Sequence, residues 1–296
     1  MNLIDGKNIA SQIKGEIAIE VQQLREEKKR SPHLAAILVG NDPASETYVA
    51  NKEKACAEVG MSSSVYKMAE NISEKELLES IDFINHDDEI DGLIVQLPLP
   101  KHIDVNKIIA AIDPKKDVDG FHPANVGRMV LGQPAYLSAT PMGISMLLQR
   151  SGISTEGKHC VVVGRSNIVG TPVSILLSRN EKNANCTVTL CHSKTKNLPD
   201  ICKTADILIA AIGKCEMITA QYIKKGATVI DVGMHRISDP SKKSGFALKG
   251  DVKFDEVAPL CEYITPVPGG VGPMTIVGLI MNTLKAFKEG SGDGKN

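Results

Sequence analysis

In the stretch SETYVANKEKAC, residues 45–56, Tyr48 and Lys52 stand four positions apart. On a helix that spacing sets a phenol and an amine on one face, a turn apart, where one can orient the other for proton transfer. Gln96 is a polar side chain inside GLIVQLPLP (92–100), a run otherwise fit for burial, and a buried amide demands partners. The plainer reading is an edge-strand glutamine with its amide in water. DPKKDVDGFHP (113–123) crowds three aspartates beside a glycine and a proline. Most carboxylates in such stretches serve turns, and Asp119 is the one singled out here for chemistry. TPVPGGVGPMT (265–275) places two glycines between prolines at the start of a helix, leaving bare backbone that a flat ligand can approach closely.

A second kind of chemistry is suggested by VVVGRSNIVGTP (161–172), where a buried strand runs into Gly164 and a helix follows Gly170. That is the context in which a helix N-terminus holds the phosphates of a dinucleotide. The spacing is not G-x-G-x-x-G, because Ser166 stands where the middle glycine would be, and an ordinary strand-to-helix turn fits the motif equally well. The next strand tips the balance. An NAD site usually carries an acid about 20 residues on, for the ribose hydroxyls. Here that position reads CHSKTK (191–196), with hydroxyls and cations and no acid. Ser193, Lys194 and Arg165 can receive a 2′-phosphate that a carboxylate would repel, so NADP is favoured over NAD.

These residues need elements to hold them. Ile9, Ile13, Ile17, Val21 and Leu24 recur every three or four positions, which predicts a long first helix. LAAILVG (34–40) reads as a buried strand, 44–59 as the helix carrying Tyr48 and Lys52, SSVYKM (63–68) as a strand, and Ser73 with Glu76 as a capping-box start for a helix reaching about residue 85. GLIVQLPLP is read as a third strand. A second series begins near Thr140, with strands expected over 159–164, 186–191, 206–213 and 227–233, and a last helix over 273–289. Strand and helix alternating in this way give right-handed crossovers and parallel sheets. The fold class is therefore α/β in two lobes, an N-terminal parallel-sheet lobe and a Rossmann-type nucleotide lobe with a cleft between them. Pro98 and Pro268, each ending an apolar stretch, are candidates for cis peptide bonds.

Composition narrows the partners. The 296 residues carry 34 basic and 35 acidic side chains, a balance that offers no support for nucleic acid or an acidic membrane surface. Seven cysteines form no C-x-x-C pair and an odd, irregular set, which suits a reduced cytoplasmic setting better than a disulfide framework. No close-spaced Cys/His set suggests a metal, the amino terminus has no signal pattern, and no apolar run approaches membrane-spanning length.

Taken in order, SETYVANKEKAC, DGLIVQLPLP, KDVDGFHPANVGRM, TPMGISMLL, GRSNIVGTP, CHSKT and TPVPGGVGPMT closely resemble the motifs of the bifunctional methylenetetrahydrofolate dehydrogenase/methenyltetrahydrofolate cyclohydrolase family, over nearly the whole chain. Two departures are visible: RNEKNANC (179–186) looks longer than many relatives have, and Met234 stands where isoleucine is common. The resemblance implies NADP-dependent oxidation of 5,10-methylenetetrahydrofolate and hydrolysis of the product to 10-formyltetrahydrofolate. It implies a folate-binding catalytic domain over 1–135 completed by the helix 273–290, an NADP-binding domain over 140–270, and a homodimer; the small, polar end of the chain is itself read as a disordered tail over 291–296. It assigns Lys52 as the base for hydrolysis, Gln96 as the residue that positions it, Tyr48 as a partner of the amine or the substrate ring, and Asp119 as acceptor for the pterin edge. Val95, Leu97, Pro268, Gly269, Gly270, Val271 and Gly272 complete the implied substrate surface. Gly164, Arg165, Ser166, Ser193 and Met234 form the implied cofactor surface, with no metal. Rival readings are a dehydrogenase-only member, another two-lobe dehydrogenase of the amino-acid or shikimate type, and a nucleotide-sensing protein without turnover.

Overall fold

The computed structural model describes residues 1–28, 30–241 and 245–290, so the tail expected over 291–296 lies outside the described residues. Its strands, in chain order, are β1 (Asn2–Leu3), β2 (His33–Val39), β3 (Ser62–Met68), β4 (Gly92–Val95), β5 (His159–Val163), β6 (Thr187–Cys191), β7 (Ile207–Ala210), β8 (Thr228–Asp231), β9 (His235–Ser238), β10 (Phe246–Lys249) and β11 (Tyr263–Ile264). They divide between two compact units.

One unit comprises Gln12–Ala139 and Ile276–Asn296. Its sheet has the order β3-β2-β4, all parallel. The central strand β2 buries six of its seven residues, as a parallel strand covered on both faces must. The core includes Ala35, Ile37, Leu77, Ile81, Ile84, Leu93 and Ile108, each worth up to ~3 kcal/mol of apolar burial for the larger side chains. The capping box forms as expected: Ser73 Oγ accepts from the Glu76 N–H at 3.2 Å, and Glu76 reaches back to the Ser73 N–H at 2.9 Å. The third strand is shorter than its apolar run. β4 stops at Val95, and only the Gln96 N–H, donating to Ile37 O, extends the ladder before Pro98, which has no N–H to offer. The Leu97–Pro98 and Val267–Pro268 bonds are both cis.

The other unit comprises Met1–Ser11 and Thr140–Thr275. Its six-stranded parallel sheet has the order β1-β11-β8-β7-β5-β6. From β5 the chain steps outward to β6, then returns past β5 to β7. The strand order thus reverses between β5 and β7, and open α/β sheets bind ligands outside the carboxyl ends of the strands at such a point. β9 and β10 form a separate antiparallel pair, which hydrophobic patterning did not predict. The first eleven residues depart from the 1–135 grouping, because β1 pairs with β11 and the Asn2 N–H donates to Glu262 O at 2.7 Å. A two-residue strand carries too little periodicity to announce a partner some 260 positions away.

Candidate active site

The helix Pro43–Glu58 is started by Asp42, whose carboxylate accepts from the Ser45 N–H at 2.8 Å, with Pro43 at its first turn. Ser45, Val49 and Cys56 are buried along one stripe. Lys52 falls on that same stripe, seven positions after Ser45 and four before Cys56, so its stem runs inward and its amine ends part-buried. Lys52 Nζ donates to Gln96 Oε1 at 3.1 Å, and Gln96 Nε2 donates to Leu97 O at 2.7 Å. Both ends of the amide are occupied, which fixes the oxygen toward the lysine. Gln96 is therefore not an edge glutamine with its amide in water. Tyr48, a turn before Lys52, is 46% exposed, and its ring is open to a ligand. Cys56 is no rival nucleophile: burial pushes its thiol up to about 12.

Asp119 faces the same amine. Desolvation pushes its carboxyl above the ordinary range, while the Lys52 charge pulls it back down. Asp117, which sequence reasoning passed over, is 1% exposed and builds the loop. Its carboxylate accepts from Phe121 N–H at 3.1 Å, His122 N–H at 2.8 Å and Asn125 Nδ2 at 2.8 Å. Burial nevertheless raises its pKa to about 6. Gly120 turns the loop at φ 70°, where a Cβ would meet the Leu137 carbonyl carbon at 2.6 Å. Asn282, on the last helix, donates to Val118 O and Leu137 O, each at 2.8 Å. The crowding of three aspartates was the available signal. Which of them would be structural depended on backbone amides that only the fold gathers. Asp113 is a turn residue, accepting from the Lys115 N–H at 2.8 Å.

In the other unit, β5 ends at Gly164, held at φ 125°, and the helix Gly170–Ser178 starts against it. A Cβ on Gly170 would lie 1.8 Å from Gly164 O, and one on Gly164 would lie 2.0 Å from Ala211 O, so both glycines are required for the loops to close. Ser166 Oγ accepts from the Val169 N–H at 3.2 Å. Arg165, Ser166, Ser193 and Lys194 are all exposed at the carboxyl ends of β5 and β6. A glycine-lined approach to a helix N-terminus with cations and hydroxyls beside it fits a dinucleotide carrying an extra phosphate. Met234 is 44% exposed just after β8. Pro268–Gly272 belong to this unit: the Lys7 N–H donates to Gly269 O at 2.9 Å, and a Cβ on Gly6 would lie 1.9 Å from Gly270 O. Sequence reasoning also missed Asp231, His235 and Asp251, which knit the loops after β7 and β8 together. Among the described residues no cluster of three or more His, Cys, Asp or Glu is placed to hold a metal ion.

Comparison with known proteins bears on the family and the fold. Residues 4–119 match the tetrahydrofolate dehydrogenase/cyclohydrolase catalytic domain, and residues 138–291 match the NAD(P)-binding domain of the same name. The chain is 59% identical over 286 residues, 97% of each chain, to the bifunctional protein FolD of Porphyromonas gingivalis. A crystal structure of the bifunctional FolD methylenetetrahydrofolate dehydrogenase/cyclohydrolase from Campylobacter jejuni superposes with TM-score 0.92 at 46% identity, covering 98% of this chain and 99% of that one. The Trypanosoma brucei methylenetetrahydrofolate dehydrogenase-cyclohydrolase complexed with NADP and an inhibitor matches with TM-score 0.91 at 39% identity, covering 97% of both chains. With both domains matched and near-complete coverage at such identity, the chain belongs to the tetrahydrofolate dehydrogenase/cyclohydrolase family.

Proposed function

We propose that Lys52 is the base of the hydrolytic step in a bifunctional folate enzyme, oriented by Gln96 and flanked by Tyr48 and Asp119. As a member of its family the chain is an NADP-dependent 5,10-methylenetetrahydrofolate dehydrogenase and a 5,10-methenyltetrahydrofolate cyclohydrolase that yields 10-formyltetrahydrofolate. NADP+ supplies the acceptor for the hydride leaving the methylene carbon. That step leaves a delocalised amidinium cation and releases no proton, so it asks the protein chiefly for positioning. Hydrolysis asks for more. Water attacks the methenyl carbon and gives up one proton as the C–O bond forms. The C–N5 bond of the resulting carbinolamine then breaks, its hydroxyl losing the second proton as the formyl C=O forms while N5 takes one up, so that one proton is released in all. Lys52, held by Gln96 at 3.1 Å, is the group placed to take the proton of the attacking water.

Asp119 accepts the paired N–H donors of the pterin's aminopyrimidinone edge, as a carboxylate does with guanidinium. Val95, Leu97 and the bare backbone of Pro268, Gly269, Gly270, Val271 and Gly272 complete the substrate surface. Gly164, Arg165, Ser166, Ser193 and Met234 hold the cofactor. The observation that carries the reading is the Lys52–Gln96 hydrogen bond at 3.1 Å with Asp119 under the same charge. The test is a spectrophotometric assay with methylenetetrahydrofolate and NADP+, following NADPH and methenyl absorbance separately. NADPH without passage through a methenyl product, or methenyl product that is never hydrolysed, would overturn it.

The same reading extends to assembly and setting, as a cytoplasmic homodimer that feeds one-carbon units to purine biosynthesis. β3 is an edge strand, and Tyr66, Met68, Phe83 and Ile84 line a hollow beside it, with Phe83 67% exposed. Apolar side chains at a strand edge, rimmed by Glu76, Glu79 and Ser80, suit a second copy of the chain. All seven cysteines are free and six are buried, which fits a reducing compartment. No described helix is long and apolar enough to cross a membrane.

A further inference from the structure

The loop that leaves β7 is gripped by a side chain no motif singled out. Asp251 is 0% exposed and uses every acceptor position of its carboxylate. Oδ2 accepts from the Ile212 N–H at 2.6 Å and the Gly213 N–H at 2.9 Å. Oδ1 accepts from the Lys214 N–H at 2.9 Å and His235 Nε2 at 2.7 Å. Asp251 is itself held. Its N–H donates to Asp231 Oδ1 at 2.9 Å, Val252 N–H to Asp231 Oδ2 at 3.0 Å, and Gly233 N–H to Asp231 Oδ1 at 2.9 Å. Asp231 N–H donates in turn to Thr265 Oγ1 at 2.7 Å. There is no slack in the knot. A Cβ on Gly250 would lie 1.8 Å from Asp231 Oδ2, and one on Gly233 would lie 2.4 Å from Asp251 Oδ1.

Three consecutive backbone N–H groups make an anion-binding nest, and here the chain fills that nest with its own carboxylate. The amides of Ile212–Lys214 are therefore already committed and cannot receive cofactor phosphate. What the knot fixes is the position of the loop. Ala211 O, at its start, lies 2.0 Å from where a Gly164 Cβ would stand, so this loop and the glycine loop of β5 meet where the strand order reverses. In a doubly wound sheet the β5–β6 half receives the adenosine end of a dinucleotide, and the half beginning at β7 receives the other nucleotide.

We propose that Asp251, supported by Asp231 and His235, is a positioning residue for the dehydrogenase half of the reaction: it sets the Ala211–Lys214 loop against which the nicotinamide riboside half of NADP is seated. This rests on the dinucleotide reading of the site, and it predicts that the knot acts on cofactor binding and hydride transfer but not on hydrolysis. Asp251→Asn keeps size and shape while turning one oxygen into an N–H₂ donor that faces two other donors.

The test uses the full chain, with NADPH affinity from fluorescence titration, amide hydrogen exchange over 212–214, and the two activities measured apart. Hydrolysis is started from methenyltetrahydrofolate with no nucleotide present. For Asp251→Asn we expect NADPH affinity to weaken about 10-fold or more, on the scale of contacts that orient a ligand's own partners, with faster exchange at 212–214 and cyclohydrolase activity within about threefold of wild type. His235→Gln, whose amide can still donate to Oδ1, should restore near-normal values, and His235→Ala should show a smaller loss with exchange increased at Lys214. The His235 pair keeps the test open if Asp251→Asn does not fold. Unchanged NADPH affinity in folded Asp251→Asn or His235→Ala, or equal loss of both activities, would overturn the proposal. Absence of folate turnover in the wild type would instead sink the functional reading, leaving the NADPH and exchange measurements to decide this one.

Discussion

Replacing Lys52 with methionine removes one amine and little else. The methionine stem still fills the stripe between Val49 and Cys56, so packing is nearly conserved. The direct structural loss is the 3.1 Å hydrogen bond to Gln96, a charged contact worth about 1.5–3 kcal/mol at most in a part-buried setting. The indirect loss falls on Asp119: with the Lys52 cation gone, nothing offsets the desolvation that raises its carboxyl. Asp119 then loses the opposite charge that offsets its burial, and the folate lobe loses one fixed cation beside the substrate. Both activities should therefore show a raised KM for folate. Only hydrolysis also loses its base, and a general base contributes 10²–10⁴-fold. We expect cyclohydrolase turnover to fall at least ~100-fold on that scale, dehydrogenase turnover to fall much less, and methenyltetrahydrofolate to accumulate. The assay follows methenyl absorbance beside NADPH in one cuvette. Undiminished hydrolysis would remove Lys52 from the mechanism, and equal loss of both turnover numbers would make it a binding residue only.

Arg165→Ala should cut the preference for NADP+ over NAD+ by roughly 10–100-fold in kcat/KM, since a charge-assisted phosphate contact is worth about 1.5–3 kcal/mol; an unchanged ratio would assign the 2′-phosphate elsewhere. Asp117 gives a pH dependence. Its carboxyl is raised to about 6 in the fold against ~3.9 in the unfolded chain, so its contribution is full below about pH 4 and is lost as pH rises through 6, about 3 kcal/mol in all. Melting curves of Asp117→Asn between pH 4 and 7 should lack that slope relative to wild type, and parallel curves would refute the assignment. Phe83→Glu places a charge in the hollow beside β3 and should shift light-scattering mass from dimer to monomer without altering β2 pairing; an unchanged mass would move the interface away from this edge.

Much of this molecule is written locally in its chain. Alternating apolar runs and helical stripes gave the three strands of one parallel sheet and four of the six of the other, β5 to β8, because buried parallel strands demand apolar runs, a property of neighbouring residues. Tyr48, Lys52 and the Gly164–Gly170 turn were visible for the same reason: their meaning depends on spacing within a single helix or turn. The absence of an acid after β6 was likewise readable at one position. What the tertiary structure alone decided is which polar groups meet. Asp117 and Asp119 are two residues apart and chemically identical, yet one is consumed by Phe121, His122 and Asn125 while the other faces Lys52. Asp251 acquires its role from amides some 40 positions earlier and a histidine 16 positions earlier. β1 finds β11 across nearly the whole chain. A buried carboxylate must be matched by donors, but those donors are backbone groups that every residue type but proline carries, so sequence cannot mark them and only the folded path brings them together.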